Sequence, residues 1–376
     1  MDEMQLLEEL VSINSIFPNE REIGEYAEKK LHGLGFKVQR QYLSEGRFNV
    51  LAERGIEGEP VLFYAHLDSV PVYGKWQRNP FELHEQGDRL YGVGSYDIKA
   101  GIAAILKACE TQSNRRIKVA FGVDEENDSA GANLILGLDF LADISGIVAT
   151  EILGVPNAAS NCVMLGRRGR CVLQIEVPGK SAHGGHAGQG INAINEAARL
   201  IQKLEGMELP DHPLLPKPNQ FIRKIAAENT SLSLPDSAVV ELDRHLVLPE
   251  DAESARTHVQ EFVDSLYAAK EFHEIEGRKI MVRIKQREVP YLMPYVTSEK
   301  NELAIEVGNA VRCAIKEPRF VYGATVADEN VFATIGLPVI TLGPTGGNQH
   351  AANEWVSKQS YLDLIEVLKE FIRQHS

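Results

Sequence analysis

The sequence lacks the features that mark several large classes of protein. Its 376 residues include only four cysteines, and none of them belongs to a CxxC pair or a zinc-finger spacing. No apolar run approaches the length of a membrane span, and the acidic segment Met1-Asp2-Glu3-Met4 lacks the apolar core expected of a signal peptide. We therefore expect reduced thiols, a cytoplasmic location and no membrane partner. The four thiols are Cys109, Cys162, Cys171 and Cys313.

Basic residues and the common nucleophile motifs are also scarce. The chain has 39 Lys and Arg residues against 53 Asp and Glu residues, for a net charge of −14. Nucleic acids and anionic membranes are bound by basic surfaces, so we expect no nucleic-acid partner. Neither a GxSxG elbow nor an HExxH helix occurs, and no repeat or low-complexity segment is visible. What remains is a globular composition, whose length favours two domains.

Strand-like apolar runs alternate with helix-like segments at both ends of the chain. In the first half, strands are predicted at residues 36–41, 49–52, 61–65, 117–123 and 146–150, with helices at 4–11, 20–34 and 98–110. After Pro290 the same rhythm resumes, with helices at 299–315, 328–334 and 358–373 and strands at 320–322 and 338–342. This alternation predicts an α/β domain with a mixed, mostly parallel sheet flanked by helices.

The middle of the chain has a different character. Longer alternating strands are predicted at residues 170–177, 238–247 and 279–286, with helices at 191–204 and 252–269. The simplest architecture is an α/β domain of residues 1–168 and 290–376, interrupted by a smaller α+β domain of residues 169–289.

Two adjacent carboxylates, Glu125 and Glu126, follow the apolar run 117–123. Like charges repel, and a cleft strengthens the repulsion unless a cation is present. Neighbouring side chains of an extended backbone point in different directions, so one carboxylate could hold a metal while the other faces water. A solvated acidic turn is the alternative interpretation of such a pair in isolation.

Other residues with metal-ligand chemistry also follow predicted strands. His66, Glu151 and His350 come after strands 61–65, 146–150 and 338–342, and Asp97 precedes a helix. Sites in open α/β sheets form beyond the carboxyl ends of the strands. A single residue of this kind is most often structural, for example a helix N-cap in the case of Asp97. Together they form a set of two histidines and several carboxylates that suits zinc.

The charge count favours two metal ions. Five carboxylates in one cleft would carry five negative charges, which two Zn²⁺ ions would almost neutralise; without metal, several of them should bind protons. The five are Asp68, Asp97, Glu125, Glu126 and Glu151.

Short motifs follow one another in order along nearly the whole chain. They are Ala65-His66-Leu67-Asp68, Tyr91-Gly92-Val93-Gly94, Asp97-Ile98-Lys99-Ala100-Gly101, Glu125-Glu126, Gly166-Arg167-Arg168-Gly169, Gly179-Lys180-Ser181-Ala182-His183 and His350-Ala351-Ala352-Asn353-Glu354. In this order they resemble the zinc-dependent aminoacylase and carboxypeptidase family. That family includes acetylornithine deacetylase, succinyl-diaminopimelate desuccinylase and peptidase T.

The resemblance implies a ligand set for two Zn²⁺ ions, for which Co²⁺ or Mn²⁺ could substitute. His66 and Glu151 would bind one ion, Glu126 and His350 would bind the other, and Asp97 would bridge both.

The resemblance also implies the catalytic roles of two further carboxylates. Asp68 would accept the ring N–H of His66 and so fix its tautomer. Glu125 would be the general base, taking a proton from the zinc-activated water and passing it to the leaving nitrogen.

The inserted domain of this family mediates homodimerisation and supplies a histidine to the partner's active site. His183 matches that residue and would stabilise the oxyanion, although neighbouring His186 and a plain surface role are alternatives. Arg244 would grip a substrate carboxylate, with a structural salt bridge as its alternative, and Arg168 is a second candidate contact.

The family resemblance implies hydrolysis of an amide bond next to a free carboxylate, with an N-acyl amino acid as the expected substrate. The alternative is a di- or tripeptidase or a carboxypeptidase; a non-catalytic binding homologue should have lost Glu125 or a ligand. Three positions depart from relatives. Glu151 is followed by Ile152-Leu153 instead of Pro-Thr, and no arginine lies near Asn330 in the sequence. The asparagine that relatives carry before the proline of the inserted domain corresponds to Ser233, or to Asn229 if the loop is rearranged. The missing arginine argues against succinyl-diaminopimelate.

Overall fold

The computed structural model describes residues 2–229 and 231–374, which form two compact units. Unit 1 comprises the chain up to Arg167 and from Val296 onward, and unit 2 is Arg168–Tyr295. The predicted boundary at 168/169 lies one residue after the observed one. The predicted boundary at 289/290 lies six residues before the observed one. Each unit has its own cluster of buried apolar side chains.

The helices and strands of the first segment of unit 1 are α1 (Glu3–Ser12), α2 (Arg21–Gly33), β1 (Lys37–Ser44), β2 (Arg47–Arg54), β3 (Glu57–His66), β4 (His84–Gln86), β5 (Arg89–Tyr91), α3 (Ala100–Ala108), β6 (Arg115–Gly122), α4 (Ala130–Leu136), β7 (Gly146–Thr150) and β8 (Cys162–Arg167). Those of unit 2 are β9 (Gly169–Pro178), α5 (Ala193–Glu205), β10 (Gln220–Ala226), β11 (Ser237–Leu246), α6 (Ala252–Ala268) and β12 (Met281–Ile284). The chain continues with β13 (Tyr295–Val296), α7 (Glu302–Ala314), β14 (Arg319–Gly323), α8 (Glu329–Phe332), β15 (Val339–Leu342), β16 (Gly346–Gly347), β17 (Trp355–Ser357) and α9 (Lys358–Arg373).

The large sheet of unit 1 has the strand order β1-β2-β6-β3-β7-β15-β8-β13, with β14 paired to β8. Strands β6, β3, β7 and β15 run parallel, whereas β1, β2 and β8 add antiparallel pairs. The parallel strands are buried on both faces, as their continuous apolar sequences predict. The expected class, a mixed and mostly parallel α/β sheet flanked by helices, is confirmed.

Helices α3 and α9 bury apolar residues in the core of unit 1. Every residue of α3 is buried, in keeping with its run of Ala, Ile and Leu. Helix α9 begins after Ser357, whose hydroxyl accepts the N–H of Ser360, and its apolar face reaches the sheet where Phe371 packs edge-on against Phe63.

A second, small sheet of unit 1 was not predicted from the sequence. Its strand order is β16-β17-β5-β4, and Trp355 of β17 pairs with Tyr91 of β5. This pairing brings the segment that precedes Asp97 next to the segment that follows His350.

Unit 2 is an antiparallel sheet of order β10-β11-β9-β12 with helices α5 and α6 packed on it. Helix α6 starts with a capping box between Asp251 and Ser254. The edge strand β10, absent from the sequence prediction, exposes Phe221 and Ile225. Within the described parts of both units, no helix is long and apolar enough to cross a membrane.

Candidate metal centre

The parallel strands of unit 1 deliver the predicted ligands to one edge of the sheet. His66 is the last residue of β3, and Glu151 directly follows β7. Glu126 lies in the loop after β6, and His350 lies downstream of β15, in the loop between β16 and β17. Since β6, β3, β7 and β15 are in parallel register, their carboxyl ends lie side by side.

The carboxylate of Asp97 lies between the two histidines. Its Oδ1 is 3.2 Å from His66 Nε2, and its Oδ2 is 3.2 Å from His350 Nε2. His66 Nε2 is also 3.2 Å from Glu151 Oε2, and His350 Nε2 is 3.2 Å from Glu126 Oε1. The five side chains thus form two triads, each of one imidazole and two carboxylates, that share Asp97.

This arrangement fits divalent cations better than hydrogen bonding. Each imidazole Nε2 faces two carboxylate oxygens but can donate at most one proton, so part of each contact stays uncompensated without a cation. Glu126 Oε1 is buried, and its 3.2 Å contact with His350 Nε2 lacks hydrogen-bond geometry, so within the described residues this oxygen accepts no hydrogen bond. Ligand atoms of His66, Asp97 and Glu126 lie within 4.8 Å of one another, and histidine nitrogens with carboxylate oxygens suit zinc and similar metals.

The pKa values of these groups report the same unbalanced charge. Burial and the charge of Asp97 raise the pKa of Glu151 to about 7, and the same two causes raise the pKa of Glu126. Burial would also raise the pKa of Asp97, but the bonds from His350 and His66 outweigh it and hold that pKa well below its usual range. Bound cations would stabilise the ionised form of these carboxylates directly.

Asp68 orients both halves of the site. His66 Nδ1 lies 3.0 Å from the carbonyl oxygen of Asp68 and 3.6 Å from its carboxylate. The nearer acceptor of the ring N–H is therefore the backbone, not the carboxylate that the sequence suggested. The carboxylate instead accepts the backbone N–H groups of Glu125 (3.2 Å) and Glu126 (2.9 Å). It thereby fixes the backbone from which these two side chains diverge.

Glu125 contributes to neither triad, and its carboxyl group is buried close to other carboxylates. Burial, together with the charges of Glu126 and Asp328, raises its pKa well above the usual range despite the opposing effect of His66. Asp124, just before it, has a left-handed backbone (φ 75°), and its carboxylate accepts bonds from Ala130 N–H and Arg47. Strained backbone of this kind persists where surrounding contacts hold it.

Two buried acids of the site were not assigned a role from the sequence. Asp328 accepts a hydrogen bond from the Tyr64 hydroxyl, and burial raises its pKa to about 7. Glu354 accepts three backbone N–H bonds from the segment around Asp97. Glu354 belongs to a motif already noted in the sequence, but no residue pattern indicated what it binds.

The remaining predicted residues lie in unit 2. His183 is exposed, and its Nδ1 accepts the N–H of Gly185. Arg168 donates to the carbonyl of Lys217 and the side chain of Asn219.

Arg244 is fully buried within unit 2, where the structural salt bridge considered as its alternative is present. Its guanidinium bonds Glu250 at 2.5 Å and His258 at 3.0 Å. A substrate carboxylate would have to compete with Glu250, and the substrate role of Arg244 stays a prediction.

Comparisons with known proteins identify the family of the chain. Residues 62–374 match the model of Peptidase family M20/M25/M40. The chain is 25% identical to a succinyl-diaminopimelate desuccinylase of Sulfurovum sp. (strain NBC37-1), over 99% of both chains.

Solved structures share the fold. Aminopeptidase PepT from Bacillus cereus matches with a TM-score of 0.79 and 18% identity, covering 100% of this chain and 99% of that one. The YXEP protein of Bacillus subtilis, described as a dinuclear metal-binding peptidase of the M20 family, matches with a TM-score of 0.73 and 15% identity over 98% and 96% of the two chains. The family resemblance seen in the motifs is confirmed: this chain belongs to Peptidase family M20/M25/M40 and is a metallohydrolase that acts on amide bonds.

Proposed function

We propose that the protein is a two-zinc deacylase that releases an amino acid from its N-acyl form. The observation that carries the proposal is the position of Asp97, whose two oxygens each face a different histidine while Glu125 stays outside both triads. His66 and Glu151 would hold one ion, Glu126 and His350 the other, and Asp97 both. When bound, the ions would polarise the scissile carbonyl and lower the pKa of the attacking water.

The chain's own groups would perform the proton transfers. Glu125 accepts the proton of the attacking water and delivers it to the leaving nitrogen as the amide bond breaks. The Asp68 carboxylate keeps the Glu125 backbone in place through its 3.2 Å bond, so that the base is already positioned before substrate arrives.

An N-acyl amino acid is the proposed substrate class. The Sulfurovum relative is named for removing a succinyl group from an amino acid, which favours acyl amino acids as a class. Succinyl-diaminopimelate itself is disfavoured because the sequence has no arginine near Asn330, where a desuccinylase would usually have one. Asn330 is buried, and its Oδ1 accepts the N–H of Ala327 within its own loop. A peptidase is the alternative, favoured by the likeness to PepT.

A substrate panel tests this proposal. Purified protein loaded with Zn²⁺ or Co²⁺ is assayed against N-acetyl amino acids, N-succinyl amino acids, dipeptides and tripeptides, with release of free amine as the readout. We expect the best acyl amino acid to exceed the best peptide in kcat/KM by at least about tenfold. Turnover of peptides alone would contradict the deacylase assignment and favour the peptidase.

Unit 2 carries the proposed dimer contact. It exposes Phe221 and Ile225 on the edge strand β10, together with Ile194 on α5 and Leu232. An exposed edge strand with apolar side chains is a surface that a second copy can cover. We infer a homodimer through this unit, with His183 serving the partner's metal centre.

Mixing two defective variants tests this role of His183. His183→Ala is expected to lower kcat by about 10²–10³-fold through loss of oxyanion stabilisation, with zinc content unchanged. If His183 acts across the dimer, equal amounts of His183→Ala and Glu125→Ala that reassociate at random should recover about a quarter of wild-type activity. About half of the dimers are then heterodimers, and each heterodimer has one complete site out of two.

The matched control for this mixture is His186→Ala in place of His183→Ala, since the two rings lie 5.9 Å apart in the same exposed segment. His186→Ala should be active by itself. No recovery in the His183→Ala mixture would contradict action across the dimer, and loss of zinc from His183→Ala would make that residue a metal ligand.

A cytoplasmic location completes the proposal. All four cysteines are free thiols, and three of them are buried. Unpaired thiols are typical of reducing compartments.

A further inference from the structure

Glu354 is a buried carboxylate that lies four residues after His350 and directly before β17. Glu354 is only 2% exposed to solvent. Oε2 accepts the backbone N–H of Gly94 at 2.8 Å, and Oε1 accepts those of Tyr96 at 3.0 Å and Asp97 at 2.9 Å. One side chain thus binds three backbone donors within the four-residue segment 94–97 that ends at the shared ligand.

The segment around Asp97 needs such an acceptor because its backbone is irregular. Gly94 is left-handed (φ 70°), and Asp97 itself has a non-helical conformation (φ −118°, ψ 86°). Residues 95–97 are buried, so N–H groups outside a regular helix or sheet must find other acceptors. An ionised carboxylate makes stronger bonds to such donors than a neutral acceptor does. The direction in which Asp97 projects therefore depends on Glu354.

Glu354 also belongs to the loop that carries His350. Its carbonyl oxygen accepts the N–H of Gly92 at 3.1 Å, and the following β17 pairs with β5. The segments that bear Asp97 and His350 are therefore joined at Glu354, while their side chains meet at 3.2 Å. Any shift of one segment relative to the other would change the distance between Asp97 Oδ2 and His350 Nε2.

We propose that Glu354 is a positioning residue that holds Asp97 and His350 in the relative geometry needed to bind two divalent cations together. This inference rests on the two-metal site of the proposed function. Glu354 is not one of the five residues that would hold the cations; it would act through the backbone of Asp97. Groups that orient metal ligands typically change metal affinity by about 10–100-fold when removed.

The test measures metal binding without substrate. Metal-free wild type and Glu354→Gln are titrated with Zn²⁺ in competition with a chromophoric chelator, and the visible spectrum of Co²⁺ is recorded for both. Glutamine keeps the shape but turns an NH₂ group toward an N–H donor, so at least one of the three bonds is lost. We expect two equivalents in wild type, about 10–100-fold weaker Zn²⁺ binding in Glu354→Gln, and an altered Co²⁺ spectrum.

The matched control is Glu241→Gln, which neutralises a buried carboxylate of unit 2 bonded to Lys285 at 3.0 Å. Its Zn²⁺ affinity and Co²⁺ spectrum should equal those of wild type. A Glu354→Gln variant that melts earlier but keeps wild-type Zn²⁺ affinity and Co²⁺ spectrum would overturn the inference, because Glu354 would then serve folding alone.

Glu354→Asp keeps the test decisive if Glu354→Gln does not fold. It retains the charge but is one methylene shorter, so its Zn²⁺ affinity should lie below that of wild type; wild-type affinity and spectrum in this variant would overturn the inference. The proposed function fails separately. A wild type that binds two Zn²⁺ ions but cleaves no amide in the substrate panel would contradict the function and leave the role of Glu354 standing.

Discussion

Replacing Glu125 by alanine should remove nearly all turnover while both cations stay bound. The carboxylate lies outside the two triads of ligands, yet the charges of the triad residues Glu126 and Glu151 act on it. As the only proposed base, it contributes the factor of about 10²–10⁴ in kcat that general acid–base catalysis supplies. The measurements are kcat on the best substrate of the panel and zinc content by elemental analysis.

The neighbouring substitution Glu126→Ala is the matched control for this result. It removes a carboxylate of the same loop, but one whose Oε1 lies 3.2 Å from His350 Nε2, so zinc should be lost together with activity. Normal kcat in Glu125→Ala would contradict the general-base role, and loss of zinc from that variant would make Glu125 a ligand.

Thermal unfolding of the metal-free proteins separates these outcomes from misfolding. Burial raises the pKa of Glu125, so its contribution to the free energy of unfolding falls as pH rises through that raised pKa. Metal-free Glu125→Ala should therefore melt no earlier than metal-free wild type in the alkaline range.

The different positions of the two glutamates could be predicted only in part. Their residue types alone favoured a solvated acidic turn, and the order of the surrounding motifs supplied the division of roles. The structure adds a physical reason for the divergence. Both backbone N–H groups are bound by one carboxylate, that of Asp68, and the preceding Asp124 is held in a left-handed conformation. No local sequence pattern encodes these contacts.

The best-predicted elements are those with strong apolar patterns. Strand β7 and helix α9 have the predicted bounds, 146–150 and 358–373, because one is buried on both faces and the other has a continuous apolar face. Strands β4, β5, β16 and β17 were missed since they have two or three residues each and form only by pairing with distant segments. Strand β10 was missed because its exposed residues show no clear alternation.

The same distinction applies to the metal centre. His66 and Glu151 follow apolar strands, so the sheet itself explains why they meet. Glu354 and Asp328 act through partners more than two hundred residues away in sequence. The sequence marked Glu354 only as the last residue of the motif that begins at His350, and that motif does not identify a backbone acceptor.

Asp97→Ala is expected to have the most severe effect on metal binding, because its carboxylate faces both triads. Zinc bound by about four protein ligands gains roughly 10–16 kcal/mol, or about 3 kcal/mol per ligand. A loss of that size weakens binding by about 100-fold, and here it would apply to both ions at once. We expect Asp97→Ala to retain no zinc after gel filtration and to show no turnover.

Two comparisons make this prediction specific to the shared position of Asp97. Glu151→Ala removes a ligand from one triad only, so it should keep about one equivalent of the tighter-bound ion, whereas Asp264→Ala removes an exposed carboxylate of α6 and should keep two. Because ligands that bind only the folded state stabilise it, added Zn²⁺ should raise the Tm of wild type and of Asp264→Ala but leave the Tm of Asp97→Ala unchanged. If Asp97→Ala lost one zinc and retained the other with wild-type affinity, Asp97 would belong to a single ion, and the two triads would be independent sites.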